Sequence, residues 1–138
     1  THKTQVKKSH ETKSEREIWR RRTCVKCRKT FSTYESPRLD FLVVKKKNGN
    51  TTRYLSYKLF ASIYDAIAGG KGSDRGDSAM LAHEVLTDIE HKIILSGKEV
   101  IKTRDIIEMV TDMLETRDLG ACYRYAAFSP HRGMKFGI

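Results

Sequence analysis

The sequence predicts an α+β protein, in which a small β module is followed by a β-hairpin and about four helices. Three observations predict this fold class. Asn48-Gly49 separates two short runs that can pair as strands, which indicates a tight primed turn and a hairpin. After Ser56, a plausible helix N-cap, apolar residues recur at helical spacing. Positive charge is concentrated upstream, with 16 Lys or Arg against 5 acidic residues in positions 1–53 and 11 against 12 in positions 54–138.

Composition favours a soluble, cytoplasmic protein with no membrane partner. No apolar run approaches the roughly 18 residues that a membrane span requires, and no signal-peptide pattern opens the chain. The net charge of +10, carried by the amino-terminal part, is typical of a nucleic-acid-binding module. An anchor to an acidic membrane is the weaker alternative, because no amphipathic apolar face accompanies the charge. No catalytic triad or acid–base pair is visible, so the sequence favours a non-enzyme.

The first segment is interpreted as a β-hairpin followed by a cysteine turn. Val6 and Ile18 flank a charged stretch, which fits two short strands joined by an exposed loop. Cys24-Val25-Lys26-Cys27 is a C-x-x-C, and we favour half of a metal site over a redox motif, because no strand-to-helix context surrounds it. A structural Zn²⁺ takes four ligands, so Cys24 and Cys27 supply two, while His2 and His10 are expected to be solvated.

The residues around this turn resemble a known DNA-binding module. Ile18-Trp19-Arg20-Arg21-Arg22-Thr23-Cys24-x-x-Cys27-x-x-x-Phe31-Ser32-Thr33-Tyr34-Glu35 is similar to the second half of the zinc ribbon of bacterial NrdR repressors. The first cysteine pair of that ribbon lies before the segment matching Thr1, so we expect this chain to begin inside the ribbon, without that pair. The resemblance implies Zn²⁺ bound by Cys24 and Cys27.

The arginine run before the cysteines is assigned to double-stranded DNA. A ribbon of about 35 residues buries little core and mainly presents its surface groups, and arginine matches both phosphate and guanine geometry. We therefore predict DNA contacts from Arg20, Arg21 and Arg22. A solvated charged surface is the plain alternative. Weaker, phosphate-type candidates follow at three positions, namely Lys26, Arg28 and Lys29.

The remaining chain is predicted as a linker and a helical domain. Pro37 restrains its neighbourhood, so the predicted boundaries are a partial zinc ribbon over 1–36, a linker over 37–40, a domain over 41–128 and a tail over 129–138. Asp77 or Ser78 is predicted to cap a second helix that Gly97 ends, and Thr103 to cap a third. The last helix is predicted over 117–128. The glycine-rich stretch from Gly69 to Ser78 is interpreted as a helix connection, because the spacing of a phosphate-binding loop is absent.

Lysines near the hairpin suggest an anion site. Lys46, Lys47 and Lys58 are expected to reach one rim, and a cation in a first helical turn opposes the helix dipole, so Lys58 lacks a local structural reason. A Lys-rich hairpin is otherwise usually a solvated surface. The pattern Val44-x-Lys46-Lys47-Asn48-Gly49, Tyr54, Lys58-Leu59-x-x-Ser62-Ile63-x-x-Ala66 resembles the opening of an ATP-cone, the regulatory nucleotide-binding module of ribonucleotide reductases and NrdR repressors.

The ATP-cone resemblance implies that ATP or dATP binds as a regulatory ligand. Ile101-x-Thr103-x-x-Ile106 also matches that module. Six residues are carried over as nucleotide-binding: Val44, Lys46, Lys47, Lys58, Thr103 and Ile107. Lys47 stands where arginine is usual, and Thr52 replaces the usual glutamate. From spacing alone, Thr103 is about equally well explained as a plain helix cap.

Taken over about residues 1–126, the resemblance implies a transcriptional repressor of ribonucleotide reductase genes. It would bind operator DNA through the ribbon and adenine nucleotides through the cone, with the nucleotide selecting among homo-oligomers. The alternative is a free-standing ATP-cone regulator that contacts an enzyme subunit, although the arginine run argues against a protein interface. A ribbon that binds single strands or RNA would want more exposed aromatic residues.

Overall fold

The structure is a computed structural model that describes residues 3–12 and 17–127. The chain divides into two compact units, Thr1–Arg38 and Leu39–Ile138. The α+β fold class is confirmed, with a β-only first unit and a second unit that combines a small sheet with four helices in the described residues. No helix in the described part of the chain has the length and apolar content to cross a membrane. The predicted tail over 129–138 lies outside the described residues, as does His2.

The first unit contains a three-stranded antiparallel sheet. Its strands are β1 (Thr4–Glu11), β2 (Ile18–Cys24) and β3 (Thr30–Glu35), in the order β1-β2-β3. The hairpin predicted from Val6 and Ile18 is therefore confirmed, and β3 adds a strand that was not predicted. Trp19 pairs with His10 on one side and Tyr34 on the other, and the rings of Trp19 and His10 lie 4.7 Å apart. A bulge between Val6 and Lys8 interrupts the pairing of β1 with β2.

The second unit opens with the predicted hairpin, and a distant strand extends it. Strands β4 (Val43–Lys45) and β5 (Thr51–Arg53) are antiparallel, and β6 (Val100–Lys102) pairs in parallel with β4 to give the order β5-β4-β6. The prediction of a tight primed turn at Asn48-Gly49 was wrong. Lys46 N–H donates to the Asn50 carbonyl at 2.7 Å and Gly49 N–H to the Lys46 carbonyl at 3.0 Å. Only Gly49 takes a positive φ, of 87°, so the loop has three residues and ends in a left-handed glycine.

Four helices cover this sheet: α1 (Ser56–Ala68), α2 (Arg75–Ser96), α3 (Thr103–Arg117) and α4 (Leu119–Ala127). The predicted apolar stripes are buried, and α2 ends at Gly97 with a left-handed φ of 69°, as predicted. The connection between α1 and α2 covers residues 69–74 of the predicted glycine-rich connection, and the rest of that stretch belongs to α2, which begins at Arg75. Leu39 is buried in the core of this unit, although the sequence had placed it in the linker. The largest fully buried side chains of the core are Leu42, Ile63, Ile89, Ile93, Leu114, Val85 and Val110.

The predicted N-caps of three helices were wrong. Leu55, whose side chain cannot accept a hydrogen bond, precedes α1, while Ser56 is the first residue of the helix and its hydroxyl donates to Glu90. Asp74 caps α2 by accepting from Asp77 N–H at 3.0 Å, so that helix begins earlier than expected. Lys102 precedes α3, and Thr103 is its first residue. In these cases a more distant polar partner, or an earlier aspartate, displaced the locally favoured cap.

Candidate functional sites

The cysteine pair lies on a tight turn at the end of β2. Cys24 is the last residue of that strand, and its backbone N–H donates to the Lys29 carbonyl at 2.9 Å while its carbonyl accepts from Arg28 N–H at 2.9 Å. Arg28 has a left-handed φ of 64°, which lets the chain reverse within a few residues. The Cys24 side chain is 6% exposed, whereas Cys27 is exposed.

Hydrogen-bond donors near Cys24 lower the pKa of its thiol. The backbone N–H of Cys27, the Cys27 thiol and the backbone N–H of Lys26 all direct protons at the Cys24 sulfur, and they lower the pKa of its thiol against the opposing effect of burial. Thiolate is the form in which cysteine binds a metal. The described residues contain no group of three or more His, Cys, Asp or Glu side chains that could hold a metal ion. Cys24 and Cys27 thus fit two positions of a four-ligand Zn²⁺ site.

The three predicted DNA-binding arginines are consecutive residues of the central strand β2. Successive side chains of a strand point to opposite faces of the sheet. Arg20 and Arg22 therefore share one face, and Arg21 lies on the other. The structure keeps the three residues together in sequence but does not bring them to a single surface.

Hydrogen bonds agree with this alternation. Arg20 donates to Ser9 Oγ at 3.1 Å and forms an ion pair with Glu35 at 3.1 Å. Arg22 donates to Thr33 Oγ1 at 3.1 Å and to Thr4 Oγ1 at 3.2 Å. On the opposite face, Arg21 donates to Thr30 Oγ1 at 2.8 Å and to Ser32 Oγ at 3.3 Å, both neutral hydroxyls. The weaker candidates Lys26, Arg28 and Lys29 are exposed in and just after the cysteine turn.

One predicted nucleotide-binding residue, Thr103, bonds to the end of β4, the strand that contains another, Val44. Val44 is half-buried, packs against the core and pairs with Thr52 on β5 and Ile101 on β6. The Thr103 hydroxyl, at the start of α3, donates to the Lys45 carbonyl at 3.4 Å. The parallel pairing of β4 with β6 thus brings the hairpin and the first turn of α3 together. Ile107 lies one turn further along α3 and is buried.

The predicted lysines of this site are all exposed. Lys46 and Lys47 belong to the hairpin loop, and Lys58 is the third residue of α1. Helix α1 has no acidic residue in its first turn and no side-chain cap. The positive end of this helix therefore carries an added cation without a compensating carboxylate in that turn.

The sequence is similar to one known protein family and to individual members of it. A profile described as "Transcriptional repressor NrdR-like, N-terminal domain" matches residues 1–35. The transcriptional repressor NrdR of Herminiimonas arsenicoxydans is 36% identical over 110 residues, which cover 80% of this chain and 67% of the relative. That of Variovorax paradoxus is 34% identical over 125 residues, which cover 90% of this chain and 81% of the relative. The chain belongs to the NrdR family of transcriptional repressors.

The similarity to NrdR repressors includes residues of both units. Alignments of 110 and 125 residues are longer than either unit, so each must extend across the boundary after Arg38. The first unit corresponds to the NrdR-type zinc ribbon, which ends at residue 35 in the profile match and at Glu35 in the sheet.

Two pairs of like charges near these sites were missed from the sequence. Lys45 and Lys102 are partners in the parallel pairing of β4 with β6, so two like charges lie side by side. Lys8 is likewise the partner of Arg21. Strand alternation would have suggested both pairs only if the distant register had been known.

A partly buried polar network joins the end of the hairpin to α2, and it was also missed. Tyr54, between β5 and α1, donates its hydroxyl to Glu90 Oε2 at 2.9 Å, and the Ser56 hydroxyl donates to the same oxygen. The two donors hold the start of α1 against the middle of α2. This network fixes the position of the helical turn that carries Lys58.

Proposed function

We propose that this chain represses transcription of ribonucleotide reductase genes by binding double-stranded operator DNA through the ribbon, under control of ATP or dATP bound to the second unit. The observation that carries the proposal is that relatives named transcriptional repressor align across both units. In the first unit, a small sheet with little core presents arginines and lysines, which is the composition expected of a phosphate-binding surface.

The ribbon depends on the cysteine turn for its shape. Cys24 and Cys27 would supply two of the four ligands of a structural Zn²⁺, which would cross-link the turn and stabilise a sheet too small to fold on its apolar content alone. The lowered pKa of the Cys24 thiol supports this assignment, because it favours the metal-binding form.

The second unit would bind the nucleotide at the hairpin and the first turns of α1 and α3. The Thr103 hydroxyl bonds there to the carbonyl of Lys45, the residue after Val44, and Ile107 follows Thr103 on α3. Lys46, Lys47 and Lys58 would neutralise the phosphates. The unrelieved charge pair of Lys45 and Lys102 adds to the positive potential beside this site.

The nucleotide would act by selecting among homo-oligomers that present their ribbons differently. For such control, ATP and dATP must bind two states of the protein with different affinities, and DNA must then change the affinity for nucleotide by the same factor. The measurement is fluorescence anisotropy of a duplex taken from upstream of the organism's own ribonucleotide reductase genes, titrated with ATP and separately with dATP. Equal DNA affinity under both nucleotides would remove the switch.

Nucleotide binding is tested separately by calorimetry on charge-reversed variants. Lys46→Glu and Lys58→Glu should each weaken ATP binding by roughly 10- to 100-fold, the loss expected from a charge-assisted contact of about 1.5–3 kcal/mol. Lys71→Glu is the matched control, because Lys71 is exposed beyond Ala68, the last residue of α1, which lies about 15 Å along that helix from Lys58. Unchanged ATP affinity in both Lys46→Glu and Lys58→Glu would refute the site.

A further inference from the structure

The two faces of the ribbon sheet carry different charge. The registers of β1, β2 and β3 assign each strand residue to one face. The Arg20 face contains Thr4, Val6, Ser9, Glu11, Ile18, Arg20, Arg22, Cys24, Phe31, Thr33 and Glu35. The Arg21 face contains Gln5, Lys8, His10, Trp19, Arg21, Thr23, Thr30, Ser32 and Tyr34.

Carboxylates balance the cations of the Arg20 face. Glu11 and Glu35 are both cross-strand partners of Ile18, so they flank the same position on this face as Arg20 and Arg22. Arg20 already pairs with Glu35 at 3.1 Å. A polyanion approaching this face would meet two negative charges and would have to displace an existing ion pair.

Cations without carboxylates occupy the Arg21 face. Lys8 is the cross-strand partner of Arg21, so two positive side chains lie next to each other on adjacent strands. Lys7, the extra residue of the bulge, donates to Gln5 Oε1 at 3.5 Å, which draws its ammonium toward this face. Among the described strand residues, no Asp or Glu belongs to this face.

Neutral hydroxyl groups on the same face accept hydrogen bonds from Arg21. Arg21 donates hydrogen bonds to the hydroxyls of Thr30 and Ser32, and because these groups are neutral they do not compensate its charge. Tyr34 is 62% exposed on the same face. Hydroxyl, lysine and arginine groups together are the side chains that contact DNA phosphates.

We propose that duplex DNA is bound by the Arg21 face of the ribbon, with Lys7, Lys8 and Arg21 contacting phosphates, and that the Arg20 face points away from the duplex. This inference rests on the proposed function, in which the ribbon binds DNA. It divides the arginine run by role: Arg21 binds DNA, while Arg20 and Arg22 hold the three strands together through Glu35, Thr33 and Thr4.

Adjacent residues of β3 provide a matched test. Ser32→Glu adds a carboxylate to the Arg21 face, within reach of Arg21, and Thr33→Glu adds the same charge to the Arg20 face. Binding of the full-length protein to a fluorescein-labelled duplex is followed by anisotropy over a series of KCl concentrations. Ser32→Glu should weaken binding and make the slope of log affinity against log salt shallower by about 0.9, the value for one lost phosphate contact, while Thr33→Glu leaves the slope unchanged.

A second pair of variants keeps the face assignment testable if a variant of the first pair fails to fold. Lys8→Gln removes one exposed cation from the Arg21 face and should also make the slope shallower by about 0.9, whereas Arg20→Gln should leave it unchanged. Unfolding midpoints identify any variant whose sheet is lost. If Thr33→Glu and Arg20→Gln reduce the slope as much as their counterparts, the face assignment is overturned while DNA binding stands. If the unmodified protein shows no salt-dependent duplex binding, the proposed function itself fails.

Discussion

Tyr54 makes the stability of the second unit sensitive to alkaline pH. Its side chain is 5% exposed, and its hydroxyl donates to Glu90 Oε2 at 2.9 Å. Burial, followed by the negative charge of Glu90 and their hydrogen bond, raises the pKa of this phenol well above its ordinary value. In the unfolded chain a tyrosine ionises near pH of about 10. Above that pH the unfolded state binds fewer protons than the folded state, so the free energy of unfolding falls as pH rises.

Tyr54→Phe should remove this contribution. At neutral pH the substitution should cost about 1.5–3 kcal/mol, because a partly buried hydrogen bond to a charged acceptor is lost. At about one pH unit above the unfolded pKa, the unmodified protein has lost about 1.4 kcal/mol through this phenol, and the phenylalanine variant has lost none of it. The difference in unfolding free energy between the two proteins should therefore shrink by about 1.4 kcal/mol.

The assay is urea unfolding followed by far-ultraviolet circular dichroism, because all four described helices belong to the second unit. Tyr57→Phe is the matched control: Tyr57 lies three residues along the chain and is 69% exposed. The difference in unfolding free energy between Tyr57→Phe and the unmodified protein should not change with pH. If the Tyr54→Phe difference also stays constant from neutral to alkaline pH, the buried phenol does not remain protonated and the reasoning fails.

Three further predictions concern other parts of the structure. Arg124→Met removes a guanidinium that donates to the Ala66 carbonyl at 2.6 Å at the end of α1, and it should lower the free energy of unfolding in urea by about 1–2 kcal/mol. The control is Arg104→Met, because Arg104 forms only an exposed ion pair with Glu108 at 4.0 Å, and its cost should be under about 0.5 kcal/mol. Equal costs for the two variants would contradict this prediction. Gly97→Ala should destabilise by about 1 kcal/mol because of the φ of 69°, measured by thermal unfolding, and a neutral result would contradict the left-handed cap. Cys24→Ser should lower the zinc content found by mass spectrometry and unfold the ribbon without loss of helical signal; full zinc content would exclude Cys24 as a ligand.

Local patterns predicted much of the second unit. The stripe of α1 formed by Leu59, Ile63, Ala66 and Ile67 is buried, because helical periodicity identifies the face that packs on a core. The hairpin followed from Asn48-Gly49. Its turn type did not, because loop length depends on which residues close the hairpin, and that pair is Lys46 with Asn50.

Pairing between distant segments explains what the sequence did not predict. The prediction that Thr103 caps α3 was wrong, because its hydroxyl donates to the Lys45 carbonyl instead. Only the parallel pairing of β4 with β6 brings that carbonyl near. The arginine run was treated as one surface, although consecutive strand residues cannot share a face. Pairing Lys8 with Arg21 on that face required the β1 register, and the bulge at Lys7 shifts that register by a residue that the sequence does not mark.

A nucleotide can weaken DNA binding in two physically different ways. A comparison of ATP with dATP, and of the unmodified protein with Lys58→Glu, distinguishes the two. ATP is a polyanion, so it competes with DNA phosphates for the cations of the ribbon much as added salt does. Competition of this kind is nearly equal for ATP and dATP, which carry the same charge, and it survives Lys58→Glu. Regulation through the second unit requires different affinities for two states of the protein, so it depends on Lys58 and differs between the two nucleotides. An effect on DNA affinity that is equal for both nucleotides and unchanged in Lys58→Glu therefore belongs to the charge of the ribbon, whereas an effect lost in that variant belongs to a regulatory site.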